Sequence, residues 1–263
     1  MAISIDLAGR VAVVTGGTRG VGRGVSERLL EAGADVVICG RKRPEAPPAA
    51  AGRVAVFVEA DVRELDQIER VVRVCTDRFG RLDVLVNNAG GSPAAPAATA
   101  SPRFSERIIA LNLVAPLHFA QQANAVMQAQ PEGGSIVNVA SVSGLRPSPG
   151  TAAYGAAKAG LLSLTQTLAV EWAPKVRVNA VAAGMIRTEL AHLHYGDAEA
   201  QARVAATVPL GRLGTPRDVG DVCVFLASPL ASYLSGAAIL MHGGGERPAF
   251  LSVVREGGNP APG

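Results

Sequence analysis

Tyr154 and Lys158 stand four residues apart in Tyr-Gly-Ala-Ala-Lys, within a stretch of helical pattern. Ser141 lies thirteen residues before the tyrosine, at the end of an apolar, strand-like run. Residues i and i+4 share a helix face, so the phenol and the ammonium project together. A neighbouring cation favours phenolate over phenol, and lowering a tyrosine from its free pKa of about 10 takes about 1.4 kcal/mol per unit. Such a pair suits a reaction in which an oxygen gains or loses a proton while another group does the harder chemistry. The same spacing also occurs on any amphipathic helix with a polar face, so the surrounding sequence must decide.

The elements that would position these side chains alternate between two patterns. Val11 to Val14 is an apolar run ending in a glycine-rich turn, followed by a helical pattern from Val21 through Leu30 that closes at Gly33. The cycle recurs with strands at Val36 to Cys39, Val54 to Val58, Val84 to Val86, Ile136 to Val139, Val176 to Val181 and Ala237 to Met241. Helices are expected at Leu65 to Phe79, Phe104 to Gln130, Ala152 to Ala173 and Pro216 to Ala227. Fully apolar strands alternating with helices predict an α/β fold, a doubly wound Rossmann-type domain with a seven-stranded parallel sheet covered on both faces. No linker interrupts the pattern, so residues 1–263 read as one domain. Pro44 to Gly52 is too short and proline-rich for a covering helix and is expected as a loop. Gly91 to Pro102, a small-residue loop after a strand end, is placed to line a ligand crevice.

Bulk properties narrow the function classes. A net charge of +3, with no basic block longer than Arg41-Lys42-Arg43, gives no nucleic-acid surface. Cys39, Cys75 and Cys223 are far apart and form no Cys-x-x-Cys pair, as expected of reduced thiols in a cytoplasmic chain. Met1 to Arg10 carries no signal-peptide pattern. Ile108 to Pro131 is uncharged, but Asn112, His118, Gln121, Gln122, Asn124 and Gln128 would each need a partner in hydrocarbon, so a helix buried by protein is expected and no membrane span.

Thr15-Gly16-Gly17-Thr18-Arg19-Gly20-Val21-Gly22 joins the first strand to the first helix. Glycines permit a sharp turn and close approach of a diphosphate, and the helix N-terminus supplies free N–H groups at a positive dipole end. The alternative is a tight turn with no ligand. At the end of the second strand, an acidic residue would accept bonds from a ribose 2′-hydroxyl, whereas arginine would accommodate a 2′-phosphate. Here the sequence is Cys39-Gly40-Arg41-Lys42-Arg43, with Arg19 as a second cation nearby and Asp35 at the wrong end of the strand. This predicts NADP(H) over NAD(H), with Arg41 and Lys42 near the phosphate.

Taken together, the turn, Asp61-Val62, Asn87-Asn88-Ala89-Gly90, Asn112, Ser141, Tyr154, Lys158, and Gly184 with Thr188 make the chain resemble the short-chain dehydrogenase/reductase family over nearly its whole length. The resemblance implies hydride transfer between a nicotinamide and a carbonyl or secondary alcohol, with Tyr154 as general acid or base and Ser141 holding the substrate oxygen. It implies that Lys158 anchors the nicotinamide ribose and lowers the tyrosine pKa, and that Asn112 holds a water for proton replenishment. Asp61 and Val62 would meet the adenine, Asn88, Ala89 and Gly90 the ribose side, and Thr188 with Ile186 the carboxamide. Asn112 could instead be a helix-breaking structural residue, and Asn87 and Asn88 could tie strands together. By the same resemblance the helices around Ala115 to Gln130 and Ala152 to Ala173 would form the interface of a homodimer or homotetramer.

Two features depart from the family pattern. Ala183-Gly184 stands where Pro-Gly is usual, which removes a rigid φ and predicts a more mobile following loop. The usual Val-Asp-Gly-Gly is replaced by Met241-His242-Gly243-Gly244, followed by an extra tail from about 245 to 263. The segment of about 184–210, centred on Glu189 to Pro209, reads as a substrate loop. Its Leu190, Leu193, Val204 and Val208, with the Gly91 to Pro102 loop, predict a lipophilic ketone or alcohol, steroid-like or an acyl thioester. His192, His194 and Tyr195 are expected at its polar rim, with no metal site, and Arg146 could meet an anionic group. Two alternatives keep the fold: a catalytically silent nucleotide-binding scaffold or sensor, and an enzyme that epimerises or dehydrates a nucleotide-sugar. The first has no need of all four of Asn112, Ser141, Tyr154 and Lys158, and the compact length, without an added sugar-binding domain, weighs against the second.

Overall fold

The computed structural model describes residues 4–246. Seven strands form one parallel sheet: β1 (Val11–Thr15), β2 (Asp35–Gly40), β5 (Val56–Glu59), β6 (Val84–Asn87), β7 (Gly134–Ser141), β8 (Val176–Ala183) and β9 (Ala238–Met241). Their spatial order is β5-β2-β1-β6-β7-β8-β9. The chain works outward from β1 in one direction and then returns to place β6 on its other side. The carboxyl ends of β1 and β6 therefore flank the point where strand order reverses, where open α/β sheets bind ligands.

The central strands are apolar on both faces because both faces are covered. On one side, Ile68, Val71 and Cys75 of α2 (Leu65–Phe79) pack with Phe119, Ala123 and Met127 of α4 (Ala115–Ala129) and Leu168 of α5 (Ala152–Glu171). On the other, Val25, Leu29 and Leu30 of α1 (Gly20–Glu31) meet Val219, Cys223 and Leu226 of α8 (Pro216–Ala227). Burial pushes all three thiols up to about 12, so they are apolar packing groups rather than nucleophiles. At the amino end of the sheet, Asp83 accepts bonds from the Val11 amide (2.9 Å), Arg10 (2.9 Å) and Arg81 (2.6 and 2.8 Å). Local signals end the helices where expected: Gly80 (φ 72°) closes α2 in the left-handed region, and Thr215 with Asp218 forms a capping box at α8.

Three expectations are corrected. The third sheet strand begins at Val56, because Arg53–Val54 (β4) pairs antiparallel with Ala49–Ala50 (β3) in a small separate hairpin at the end of the Pro44 to Gly52 loop. The long helix from Phe104 is broken: α3 (Pro102–Ile109) passes through a π-helical turn, Ala110–Val114, before α4 begins at Ala115. Within that turn, the side-chain amide of Asn112 takes the Ile108 carbonyl at 2.9 Å, four residues back, where the backbone would otherwise bond in a regular α-helix. The substrate segment, expected as a loop, holds two short helices, α6 (His192–Tyr195) and α7 (Ala198–Thr207). Residues 247–263 of the predicted tail lie outside the described part.

Candidate active site

The glycine turn sits at the carboxyl end of β1 and is fixed by its neighbours. Gly16 (φ 64°) and Gly20 (φ 52°) occupy the left-handed region, and a Cβ at Gly22 would stand 2.3 Å from the Gly16 carbonyl oxygen. Only a hydrogen at Gly22 lets α1 start this close to the turn. Thr15 and Asn88 tie the two flanking strands together: the Thr15 hydroxyl accepts the amides of Asn88 and Ala89, each at 2.9 Å, and the Asn88 side chain donates to the Thr15 carbonyl at 2.8 Å. Asn87 continues the brace, donating to Asn138 at 3.0 Å, which in turn donates to Thr165 of α5 at 2.9 Å. The buried polar chain positions α5 against the strand ends.

A crevice of about 500 Å³ runs across this edge. It brings together the predicted Gly16, Thr18, Arg19, Gly20, Val21, Gly22, Arg41, Asp61, Val62, Asn88, Ala89 and Gly90 with Ser141, Tyr154, Lys158, Gly184, Ile186 and Thr188. Lys42 is not among its lining residues, so the structure does not bring that predicted contact to the site. β2 ends at Gly40, and of the two residues that follow it Arg41 lines the crevice. Arg43 lies over the Phe57 ring at 5.2 Å. Arg63 and Glu189 line the crevice and were not singled out from sequence, nor were Asn138 and Thr165 beneath it. Arg63 pairs with Asp61 through Nε at 2.9 Å, and this bond first of all holds the Asp61 carboxyl below its usual range. Its position two residues after Asp61 was the only available signal.

Tyr154 and Lys158 rise on one face of α5, with the ammonium 5.7 Å from the phenol ring centre. Lys158 is 3% exposed and donates to the Val139 carbonyl at 2.7 Å, and burial pushes its ammonium down to about 8. The phenol is raised above its ordinary value, chiefly by burial. The Ser141 hydroxyl works against the rise, and Tyr195 adds to it. The lysine thus sits beside the tyrosine as expected, yet burial rather than its charge governs the phenol, because the ammonium is itself desolvated and turned to Val139. Ser141 is the last residue of β7, and its Oγ accepts the Ser143 amide at 3.1 Å. Asn112 is fully buried, with its side chain exchanging two bonds with the Gly91 backbone at 2.9 and 3.0 Å. A Cβ at Gly90 would touch both Asn112 Oδ1 (2.6 Å) and Lys158 Nζ (3.4 Å), so these groups converge on one glycine.

The far wall is built on Ala183 and Gly184, at the end of β8. With alanine at 183, the β7–β8 ladder continues to the pair Ser141 and Ala183, and Gly184 N–H bonds the Met241 carbonyl at 2.9 Å. Beyond Ser141, Val142, Leu145, Met185 and Leu240 line a second cavity of about 310 Å³, which Gly184 shares with the first. Arg146 at its edge is paired with Glu246, so its charge already has a carboxylate partner. His194 and Tyr195 border the main crevice, and no group of three metal-binding side chains occurs among the described residues.

The family model described as Enoyl-(Acyl carrier protein) reductase matches residues 16–246. The chain belongs to the short-chain dehydrogenase/reductase family. Similar members include a tropinone reductase homolog of Arabidopsis thaliana, 37% identical over 246 residues, covering 91% of this chain and 93% of the relative. L-rhamnose 1-dehydrogenase (NAD(P)(+)) of Azotobacter vinelandii is 37% identical over 248 residues, covering 90% and 97%. Among solved short-chain dehydrogenase/reductase folds, the Thermoplasma acidophilum aldohexose dehydrogenase in ligand-free form superposes with a TM-score of 0.85 at 30% identity, covering 91% of this chain and 95% of that one. This family member is therefore an oxidoreductase, an enzyme acting on CH–OH groups with NAD(P). No helix among the described residues is long and apolar enough to cross a membrane.

Proposed function

We propose that the chain is an NADP(H)-dependent oxidoreductase that interconverts a carbonyl and a secondary alcohol, with Tyr154 as general acid in reduction and general base in oxidation. One observation carries this reading: Tyr154, Lys158 and Ser141 open onto the same crevice as the glycine turn. The residues fit a dinucleotide, because the glycines leave room for close backbone approach at the start of α1. Gly16 to Gly22 would cradle its diphosphate, Arg41 and Arg19 a 2′-phosphate, Asp61 and Val62 the adenine, and Lys158 the nicotinamide ribose. When bound, that cofactor supplies or accepts the hydride.

The protein's own part is placement and proton movement. Burial keeps the phenol protonated, so it carries the proton that the carbonyl oxygen takes up as hydride arrives, and Ser141 beside it can orient that oxygen. The reverse direction needs the proton removed, and the neutral-amine form of Lys158, brought within reach because burial pushes its ammonium down to about 8, is a neighbouring group with a lone pair to accept it. Asn112 stabilises the π-helical turn next to Lys158, and the proposed water relay would run past that point. The cavity lined by Val142, Leu145, Met185 and Leu240 favours a substrate with a lipophilic body, steroid-like or an acyl thioester. We further assign α4 and α5 to a dimer or tetramer interface and the protein to the cytoplasm.

A screen of lipophilic ketones, acyl thioesters, sugars and polyols against NADPH, NADH and their oxidised forms tests this reading. Turnover of a lipophilic ketone or thioester with NADPH is expected. Preference for NADH would overturn the role of Arg41, and turnover of sugars or polyols alone would overturn the lipophilic assignment.

A further inference from the structure

The first turn of α1 has no side-chain cap at Arg19 and no acidic residue of its own. Its Gly20 amide nevertheless has an anionic partner: it donates to Glu189 Oε1 at 2.9 Å, from 169 residues away. Glu189 reaches across from the segment between β8 and α6, and Thr188 beside it lies close enough that a Cβ at Gly20 would meet its methyl at 3.6 Å. The Thr188–Glu189 segment is thus tied over the glycine turn. A carboxylate is stabilised at a helix N-terminus by the exposed N–H and the dipole, for the same reasons as a phosphate oxygen.

A backbone amide has one hydrogen to donate. Glu189 and a diphosphate at this turn therefore contend for one donor, and their like charges repel. We propose that Glu189 is an internal competitor for the cofactor's diphosphate: it ties the substrate segment across the turn, and nucleotide binding displaces it. This rests on the glycine turn being the diphosphate site. The competition weakens cofactor affinity and couples it to the position of the wall that carries Thr188, Leu190 and Tyr195.

The test is titration of NADPH into the full chain and into Glu189→Ala, Glu189→Gln and Glu199→Gln at fixed ionic strength, with inorganic diphosphate as a competitor. Glu189 is exposed, so the expected gain is modest. The Kd for NADPH falls about fivefold in Glu189→Ala, corresponding to about 1 kcal/mol. The fall is smaller in Glu189→Gln, which keeps an acceptor but no charge. Inhibition by diphosphate tightens in the same order. Glu199→Gln, an acid of the same segment paired with Arg203, leaves the Kd unchanged. Before nucleotide is added, amide hydrogen exchange in the turn is faster in Glu189→Ala than in the unaltered chain. An unchanged or higher Kd in Glu189→Ala overturns the competition. Failure of the unaltered chain to bind either nicotinamide nucleotide instead removes the diphosphate site on which it rests.

Discussion

Replacing Lys158 by methionine separates what this residue does for the fold from what it does for the reaction. The ammonium is 3% exposed, and its one hydrogen-bond acceptor in the structure is the Val139 carbonyl. Burial pushes it from 10.5 down to about 8, a difference of roughly 2.5 units, so keeping it charged in the fold at neutral pH costs about 3 kcal/mol. Methionine keeps the apolar stem and removes the charge, leaving the Val139 carbonyl without this donor at a cost of about 1–3 kcal/mol. The variant is therefore expected to be no less stable than the parent at pH 7. The sign of the pH dependence is definite. The folded-state value lies below the unfolded one, so between about 8 and 10.5 the unfolded chain binds more protons, and the lysine makes stability rise with pH across that window at up to about 1.4 kcal/mol per unit. Urea unfolding of both chains without nucleotide, from pH 7 to 10, measures the difference between them. The variant should lack the rise, and NADPH binding and turnover should both be lost. A variant several kcal/mol less stable with the same pH slope would refute the reasoning, since the lysine would then be a net stabilising group.

Other perturbations follow from the same contacts. Arg41→Ala should raise the Kd for NADPH about tenfold and leave that for NADH nearly unchanged, because only the former carries the 2′-phosphate; calorimetry with both nucleotides measures this. Asp83→Asn should cost about 2 kcal/mol in urea unfolding, a modest loss for a buried acid because both guanidinium partners keep contact with water. Burial alone would raise the Asp83 carboxyl, yet Arg81, the Val11 amide and Arg10 together hold it below its usual range. Its contribution is thus present above about pH 4 and is lost as the pH falls through the folded-state value, so the variant should show a flatter acid-unfolding profile. Gly22→Ala should weaken binding of either nucleotide by at least tenfold, because its Cβ meets the Gly16 carbonyl oxygen at 2.3 Å and displaces the turn.

The fold was legible where local pattern and tertiary environment agree. Val11–Val14 and Val84–Val86 are buried on both faces and announce it by being uniformly apolar, and Gly80 marks the end of α2 by the backbone conformation that it alone tolerates easily. The hairpin of Ala49–Ala50 with Arg53–Val54 was missed because the run from Val54 to Val58 continues its apolar character past the point where the chain changes partners. The π-helical turn was not placed from sequence, although Asn112 was weighed as a helix-breaking residue, because Ala110–Val114 is otherwise apolar and continues the helical pattern. Its cause is a tertiary one, the Asn112 side chain bonding Gly91 and Ile108. At the site, the residue types and spacing of Ser141, Tyr154 and Lys158 were visible directly. Lys42 lies in the bend after β2 and is not among the residues that line the crevice, a placement that the local sequence Arg41-Lys42-Arg43 does not specify. Glu189 escaped because its partner lies 169 residues away, and nothing local in an exposed glutamate signals a bond to a distant backbone amide.

The central claim, that Tyr154 moves the proton in a hydride-transfer reaction built on this crevice, is tested most directly by Tyr154→Phe. NADPH affinity and turnover of the preferred carbonyl are measured side by side with the unaltered chain. Loss of turnover by about 10²–10⁴-fold with the Kd for NADPH within about twofold is the predicted result. Turnover that survives the loss of the phenolic hydroxyl would contradict it.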